Sequence, residues 1–311
     1  MLVFRMNDYL ALFLGVVCAG IGGELFVRGA VGLAHWARIS PGIIGATVVA
    51  FATSSPELSV SINSAIAGQP QIGLGNALGS NVVNVALILG LALLISGIKS
   101  ARDSVKRDLP VALLIPIITG ALFLDGELSR FDGVLMLCMF LAWLVAAVIE
   151  ARKQRSAAGE VIGEHRRWLV VVSCVAGLAF LVAAGNLIVA GARGMAISFG
   201  MDEFIIGATV VAVGTTVPEL ATTIIAKLRG HDEVGLGMIL GSNIFNGLLI
   251  VAVVAMIHPI TVPWREVAIA LAFGLVALVF AYPTRKGFIE RRRGVLLLVL
   301  YVVYLATILQ Y

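Results

Sequence analysis

Two glutamates stand where an ionised side chain has no obvious support. Glu57 and Glu219 each interrupt a long apolar stretch, in TSSPEL and TTVPEL. A carboxylate in hydrocarbon is costly without a partner, and a cation is a partner that two acids can share. A lone membrane glutamate also reads as a protonated group hydrogen-bonded between helices, but a matched pair favours ion binding. Pro56 and Pro218 directly precede the acids. Each lacks an amide hydrogen, so each should break its helix and free a backbone carbonyl one turn earlier. Hydroxyls collect at both breaks, from Thr53 and Ser54 in one and Thr215 and Thr216 in the other. Thr53 and Thr215 precede their glutamates by four residues, the spacing of one helix face. A second polar cluster follows each acid: Ser80, Asn81 and Asn84, then Ser242, Asn243 and Asn246. Within each cluster the serine and the second asparagine are spaced i,i+4, so their oxygens can join the carboxylates around one ion. Gly73, Gly75 and Gly79, with Gly235, Gly237 and Gly241, suit close helix packing.

These donors are all hard oxygens, which select sodium, calcium or magnesium over zinc or copper. Magnesium is the weaker fit because it dehydrates reluctantly. Two carboxylates balance one divalent or two monovalent ions, so competition for a single neutralised site yields exchange. A further sodium makes such a cycle electrogenic. The alternative is a cation/proton antiporter using the same two glutamates, since a desolvated carboxyl can titrate.

The elements that must position these residues are repeated. The segment from Gly45 recurs from Gly207 at a constant offset of 162, and 22 of 45 positions are identical without a gap. Gly23, Gly29 and Gly32 likewise match Gly185, Gly191 and Gly194. Long apolar runs fit ten spans of about 20 residues each, at 8–36, 42–67, 72–97, 109–125, 131–150, 168–196, 204–228, 234–258, 265–282 and 294–310. Five spans separate each element from its copy, and an odd number reverses its direction across the membrane. The expected fold is therefore an all-α polytopic membrane protein of two inverted five-helix repeats, with broken helices meeting at the midplane. The first repeat is 1–150 (motif 45–90) and the second 168–311 (motif 207–252), joined by a charged linker at 151–167.

Composition agrees: 60% of the residues are hydrophobic and 13% charged, against about 25% charged in soluble domains. The net charge of +4 reflects topology rather than nucleic-acid binding. Basic residues gather at 99–107, 152–167, 227–229 and 285–293, which the positive-inside rule places in the cytoplasm. Only Arg5, Arg130, Arg193 and Arg265 fall on the other side, with Arg28 snorkelling from the first span. Both termini are expected outside, and the first apolar stretch reads as a retained helix, not a cleaved signal. Cys18, Cys138 and Cys174 show no ligand spacing, and the four histidines form no cluster. No GxGD, HExxH or GxSxG pattern supports an enzyme. The linker is too short for the output domain of a cation sensor.

At TSSPE with GSNVVN, and TTVPE with GSNIFN, the chain resembles the calcium/cation antiporter superfamily, specifically prokaryotic sodium/calcium exchangers. That resemblance spans nearly the whole chain. It implies sodium/calcium antiport by movement of the first and sixth helices against the rest, around four oxygen-lined sites. It also implies an ion-site set of Thr53, Glu57, Ser80 and Asn84 with Thr215, Glu219, Ser242 and Asn246, joined by the backbone carbonyls of Ala50 and Ala212. Sodium and calcium are then the cargo and the bilayer the only partner: no prosthetic group or protein partner is implied, the transport unit is monomeric, and the location is a prokaryotic inner membrane. Asn246 departs from members that carry Asp there, including potassium-dependent exchangers, which argues against potassium cotransport. Thr216 replaces a common serine but keeps the hydroxyl. Proton/calcium exchangers use a different Asn-rich motif around the acid, absent from this sequence.

Overall fold

In the computed structural model, residues 8–100, 104–157, 167–198 and 203–310 are described. Their backbone is almost wholly helical, because polar backbone groups in hydrocarbon must be satisfied within each segment. Ten helical segments follow in order, each overlapping one of the expected spans. The first half holds α1 (Asp8–Ala37), α2 (Pro41–Thr53, then Ser55–Ile66), α3 (Pro70–Ile95), α4 (Leu109–Leu122) and α5 (Arg130–Ala157). The second holds α6 (Arg167–Ser198), α7 (Gly207–Thr215, then Val217–Leu228), α8 (Asp232–Ile257), α9 (Trp264–Phe280) and α10 (Arg291–Ile308). By length and apolarity α3, α5, α8 and the helix containing α4 can each cross a membrane, and α2 and α7 can when their two halves are taken together. Residues 158–166 of the expected linker lie outside the described residues, as do Arg5, Arg102 and Arg166 of the charge pattern.

The core sits between α3 and α8. In their most apolar stretches 72% and 89% of residues are buried, against 22% for α5, whose exposed Phe131, Val145 and Ile149 face outward. Glycine explains how closely α3 and α8 approach their other neighbours. A Cβ on Gly75 or Gly79 would strike the backbone of Phe204 and Ala208, and one on Gly237 or Gly241 the backbone of Gly42 and Ala46. Each central helix therefore packs on the broken helix of the opposite repeat, and the two contacts are copies at the 162-residue offset.

The offset also appears in local irregularities. Wide π-helical turns occupy Gly45–Val49 and Val83–Leu89, and recur at Gly207–Val211 and Phe245–Ile250. Such turns widen a helix locally and favour functional sites. Gly68 (φ 80°) and Gly230 (φ 76°) end α2 and α7 in a left-handed conformation that a Cβ would strain. The following amides, of Gln69 and His231, then reach back to the carbonyls of Ser64 and Ala226. Two short ribbons complete the pattern: Ile98–Lys99 pairs antiparallel with Phe288–Ile289, and Glu127–Leu128 with Ile260–Thr261. Adding 162 to the first strand gives the strand at 260, and 161 takes 127 to 288, so one ribbon is the copy of the other.

Three local expectations change. The breaks fall at Ser54 and Thr216, which share φ −81° and ψ 6°. Pro56 and Pro218 open the second half-helices, where their missing amide costs nothing, and the halves bend by 43° and 49°. Lys227 does not lie in an exposed loop. Its side chain is buried and donates to the Gly97 carbonyl (2.8 Å) and to Asp232 (3.0 Å), tying α7 to the end of α3. Arg28 does more than snorkel, since it pairs with Glu24 (2.6 Å), which also binds Arg229 (2.6 Å) of the second half.

Candidate cation site

The two breaks face each other across the α3/α8 core, and all ten expected site residues are buried there: Ala50, Thr53, Glu57, Ser80 and Asn84 from one repeat, and Ala212, Thr215, Glu219, Ser242 and Asn246 from the other. At the centre, Asn81 donates its amide to the Asn243 carbonyl (3.2 Å) and Asn243 donates its own to the Asn81 carbonyl (3.3 Å). These residues are copies of one another, so the pair marks the axis relating the repeats. Glu57 and Glu219 are fully buried, and Ser54, three residues before Glu57, reaches the Glu219 carboxylate at 3.3 Å.

What separates these acids from a structural one is their lack of a counter-charge. Asp108 is just as buried, but it receives Arg107 at 2.7 and 2.9 Å and the Trp143 indole N–H at 3.0 Å. Neither oxygen of Glu57 receives any donor from the protein. Glu219 Oε1 accepts from Ser242 at 3.3 Å, and Ser54 lies 3.3 Å from the same oxygen and 3.1 Å from Ser242, donating to one of them at a time. Oε2 of Glu219 has no donor. Ser80 Oγ, Asn84 Oδ1 and Asn246 Oδ1 are buried and unpartnered as well. Each such atom costs about 1–3 kcal/mol if left unsatisfied, more for a charged group. An array of donorless oxygens around two buried carboxylates is stabilised by positive charge, and those oxygens are the hard ligands that sodium or calcium takes.

The remaining expected residues are present but differently engaged. Thr53 lies beside Glu219 and Thr215 beside Glu57, each at the acid of the opposite repeat, but their hydroxyls donate elsewhere: Thr53 to the Val49 and Ala50 carbonyls, Thr215 to Asn76 and the Ala212 carbonyl. The i,i+4 argument assumed one continuous helix, and the break at Ser54 or Thr216 intervenes. The Ala50 carbonyl accepts from the Ser54 amide (2.9 Å) and the Thr53 hydroxyl (3.3 Å). That of Ala212 accepts from the Thr216 amide (3.1 Å) and hydroxyl (2.8 Å). Both carbonyls thus point along their own helices with donors in place. Asn84 donates to Asn243 Oδ1 (3.0 Å), whereas the Asn246 amide has no partner.

One residue was overlooked in the sequence. Asn76 is fully buried on α3 and donates to the Glu57 carbonyl (3.2 Å) and to Ser61 (3.1 Å), while its Oδ1 accepts from Thr215 (3.1 Å). The signal was available: in GLGNALGSN against GLGMILGSN it is the one polar residue without a polar copy.

Inverted repeats, helices broken at facing positions and paired acids at their junction define a secondary transporter, an integral membrane protein rather than an enzyme. A profile of the sodium/calcium exchanger protein family matches residues 8–149 and again 169–310, one copy per repeat, and the chain belongs to that family. It is 35% identical over 257 residues to the inner membrane protein YrbG of Escherichia coli, covering 80% of this chain and 79% of that one. It is 29% identical to the sodium/calcium exchanger MaX1 of Methanosarcina acetivorans, over 97% and 98% of the two chains. Among solved structures, the sodium-calcium exchanger NCX_Mj soaked with sodium and strontium superposes with a TM-score of 0.82 at 29% identity, covering 96% of this chain and 98% of that one.

Proposed function

We propose that the protein exchanges sodium for calcium across a prokaryotic inner membrane by alternating access. The carrying observation is the pair of fully buried carboxylates at equivalent positions of the two repeats, three of whose four oxygens lack protein donors, as do Ser80 Oγ, Asn84 Oδ1 and Asn246 Oδ1. In this reading Glu57 and Glu219 supply the charge. Ser80, Asn84, Ser242, Asn246, Thr53 and Thr215 supply neutral oxygens, with the Ala50 and Ala212 carbonyls behind the breaks. One calcium or two sodium ions neutralise the pair, a third sodium makes the cycle electrogenic, and the absence of Asp at 246 makes potassium unnecessary. The similarity to MaX1 and NCX_Mj, both sodium/calcium exchangers, supports these cargo ions. Ten spans, both termini outside, halves 1–150 and 168–311, and a cytoplasmic linker at 151–167 complete the proposal. The moving part is α1 with α6. They pack through Gly22, Gly29 and Gly177 with no room for a Cβ, while Gly23 rests on Ala221 and Ile225 of α7. So joined, α1 and α6 can slide as one body across the breaks.

The test is sodium-gradient-driven uptake of radioactive calcium into proteoliposomes. Uptake that follows an outward sodium gradient and responds to membrane potential supports the proposal. Uptake that follows a pH gradient and ignores sodium replaces it with cation/proton antiport through the same acids.

A further inference from the structure

Along the two central helices, α3 and α8, one buried polar side chain has no polar copy at the 162-residue offset: Asn76, opposite the equally buried Met238. Its amide uses both ends. Nδ2 donates to the backbone carbonyl of Glu57 and to Ser61, and Oδ1 receives the hydroxyl of Thr215 from the other repeat. In the second half these bonds have no counterparts. The thioether of Met238 cannot donate, and the hydroxyl of Thr223, the copy of Ser61, is buried without a partner. Thr53 and its copy Thr215 both reach back to their own helices, at the Ala50 and Ala212 carbonyls, but only Thr215 also reaches across the junction, to Asn76.

We propose that Asn76 is a positioning residue that makes the site one-sided. It fixes Glu57 through its backbone and holds the Thr215 hydroxyl across the repeat junction, so that both Glu57 carboxylate oxygens stay free of protein donors and available to the cation. Glu219 is held the other way, through its carboxylate, by Ser54 and Ser242. A buried amide that satisfies three partners in one rigid arrangement fixes geometry without touching the ion. Thr215, beside Glu57, has its acceptors in Asn76 Oδ1 (3.1 Å) and the Ala212 carbonyl (3.4 Å), so its proton is drawn away from the Glu57 oxygens.

The inference rests on the exchange reading above, and one experiment separates the two. Calcium dependence of sodium-driven uptake is measured in proteoliposomes for the wild type, Asn76→Met, Thr215→Val and the double variant. No sodium-driven uptake by the wild type overturns the exchange reading itself. With wild-type uptake present, Asn76→Met should raise the apparent KM for calcium about tenfold, the loss of one to two oriented hydrogen bonds. The maximal rate should stay near wild type. A purely structural amide predicts the reverse, fewer working transporters at unchanged KM. The double variant should show less than the product of the single shifts, because both changes remove the same bond. Unchanged KM in Asn76→Met, or a full product in the double variant, overturns the proposal. If Asn76→Met does not assemble, Asn76→Ala is read the same way, and failure of both to assemble leaves only a structural amide and overturns it too.

Discussion

The two halves of this exchanger agree in backbone and disagree in how each holds its acid. The π-helical turns of the broken and central helices, the breaks, the contacts of Gly75 and Gly79 and the ribbons repeat at the 162-residue offset or within one residue of it. Yet Glu57 has a bare carboxylate on an anchored backbone, while Glu219 has a carboxylate tied by Ser54 and Ser242. Packing has to be symmetric because each repeat is the other's scaffold, and a Cβ on either side of the junction strikes backbone. The hydrogen bonds are free to diverge, because under the proposed exchange only the sum of charge and oxygen offered to the cation must be kept.

The sharpest way to break the comparison is to neutralise each acid in turn. Glu57→Gln and Glu219→Gln should each abolish sodium-driven calcium uptake, by more than about 100-fold, since a charge removed from a desolvated ion site costs upward of about 3 kcal/mol. Retained flux in both variants would remove the site from this position. Residual flux in Glu219→Gln alone would make Glu57 the dominant ligand, as its donorless oxygens favour.

Symmetry of packing is tested next. Gly79→Ala and Gly241→Ala place a methyl against the backbone of Ala208 and Ala46, and neither neighbour can move without shifting a broken helix. Overpacking of this kind costs about 1–3 kcal/mol. Both should lower the melting temperature in detergent by similar amounts, and a twofold difference between their losses would show that one half is the stiffer scaffold.

Most of this architecture was legible in the sequence because duplication states it twice. Paired Glu57 and Glu219, the serine and asparagine clusters and the packing glycines all emerge from one gapless alignment, and the alternation of spans carries the inversion. What the alignment conceals is which residue meets which. Helical spacing put Thr53 with Glu57, but the turn at Ser54 hands it to Glu219. Lys227 looked like a loop residue because charge alone was counted, and Asp232 and the Gly97 carbonyl, which allow its burial, come from separate elements. Asn76 stays hidden in that alignment because it stands opposite Met238 and so does not repeat.

Asparagines on the two sides sharpen the contrast further. Asn84 donates to Asn243, while the amide of Asn246 meets nothing in the protein. Asn84→Ala should cost about 1 kcal/mol of stability in addition to weakening calcium binding. Asn246→Ala should raise the apparent KM with little change in melting temperature. Equal stability losses would show that Asn246 is engaged within the protein in the resting state.

The smallest effect expected is at the breaks themselves, where Ser54 and Thr216 share dihedral angles but send their hydroxyls different ways. Ser54 crosses to Glu219 and Ser242, whereas Thr216 bonds back to the Ala212 and Val213 carbonyls of its own helix. A hydroxyl returned to a helical carbonyl contributes little, since that carbonyl keeps its amide donor. Thr216→Val should therefore leave the calcium KM within about twofold. Ser54→Ala removes a donor to a buried carboxylate, worth about 1.5–3 kcal/mol when the acceptor is charged, yet a bound cation compensates part of that loss. Its KM should rise about threefold to tenfold. Measured side by side in one vesicle preparation, equal shifts would mean that Thr216 turns toward Glu57 when the ion binds. The one-sidedness would then belong to the resting site alone and vanish in the loaded one.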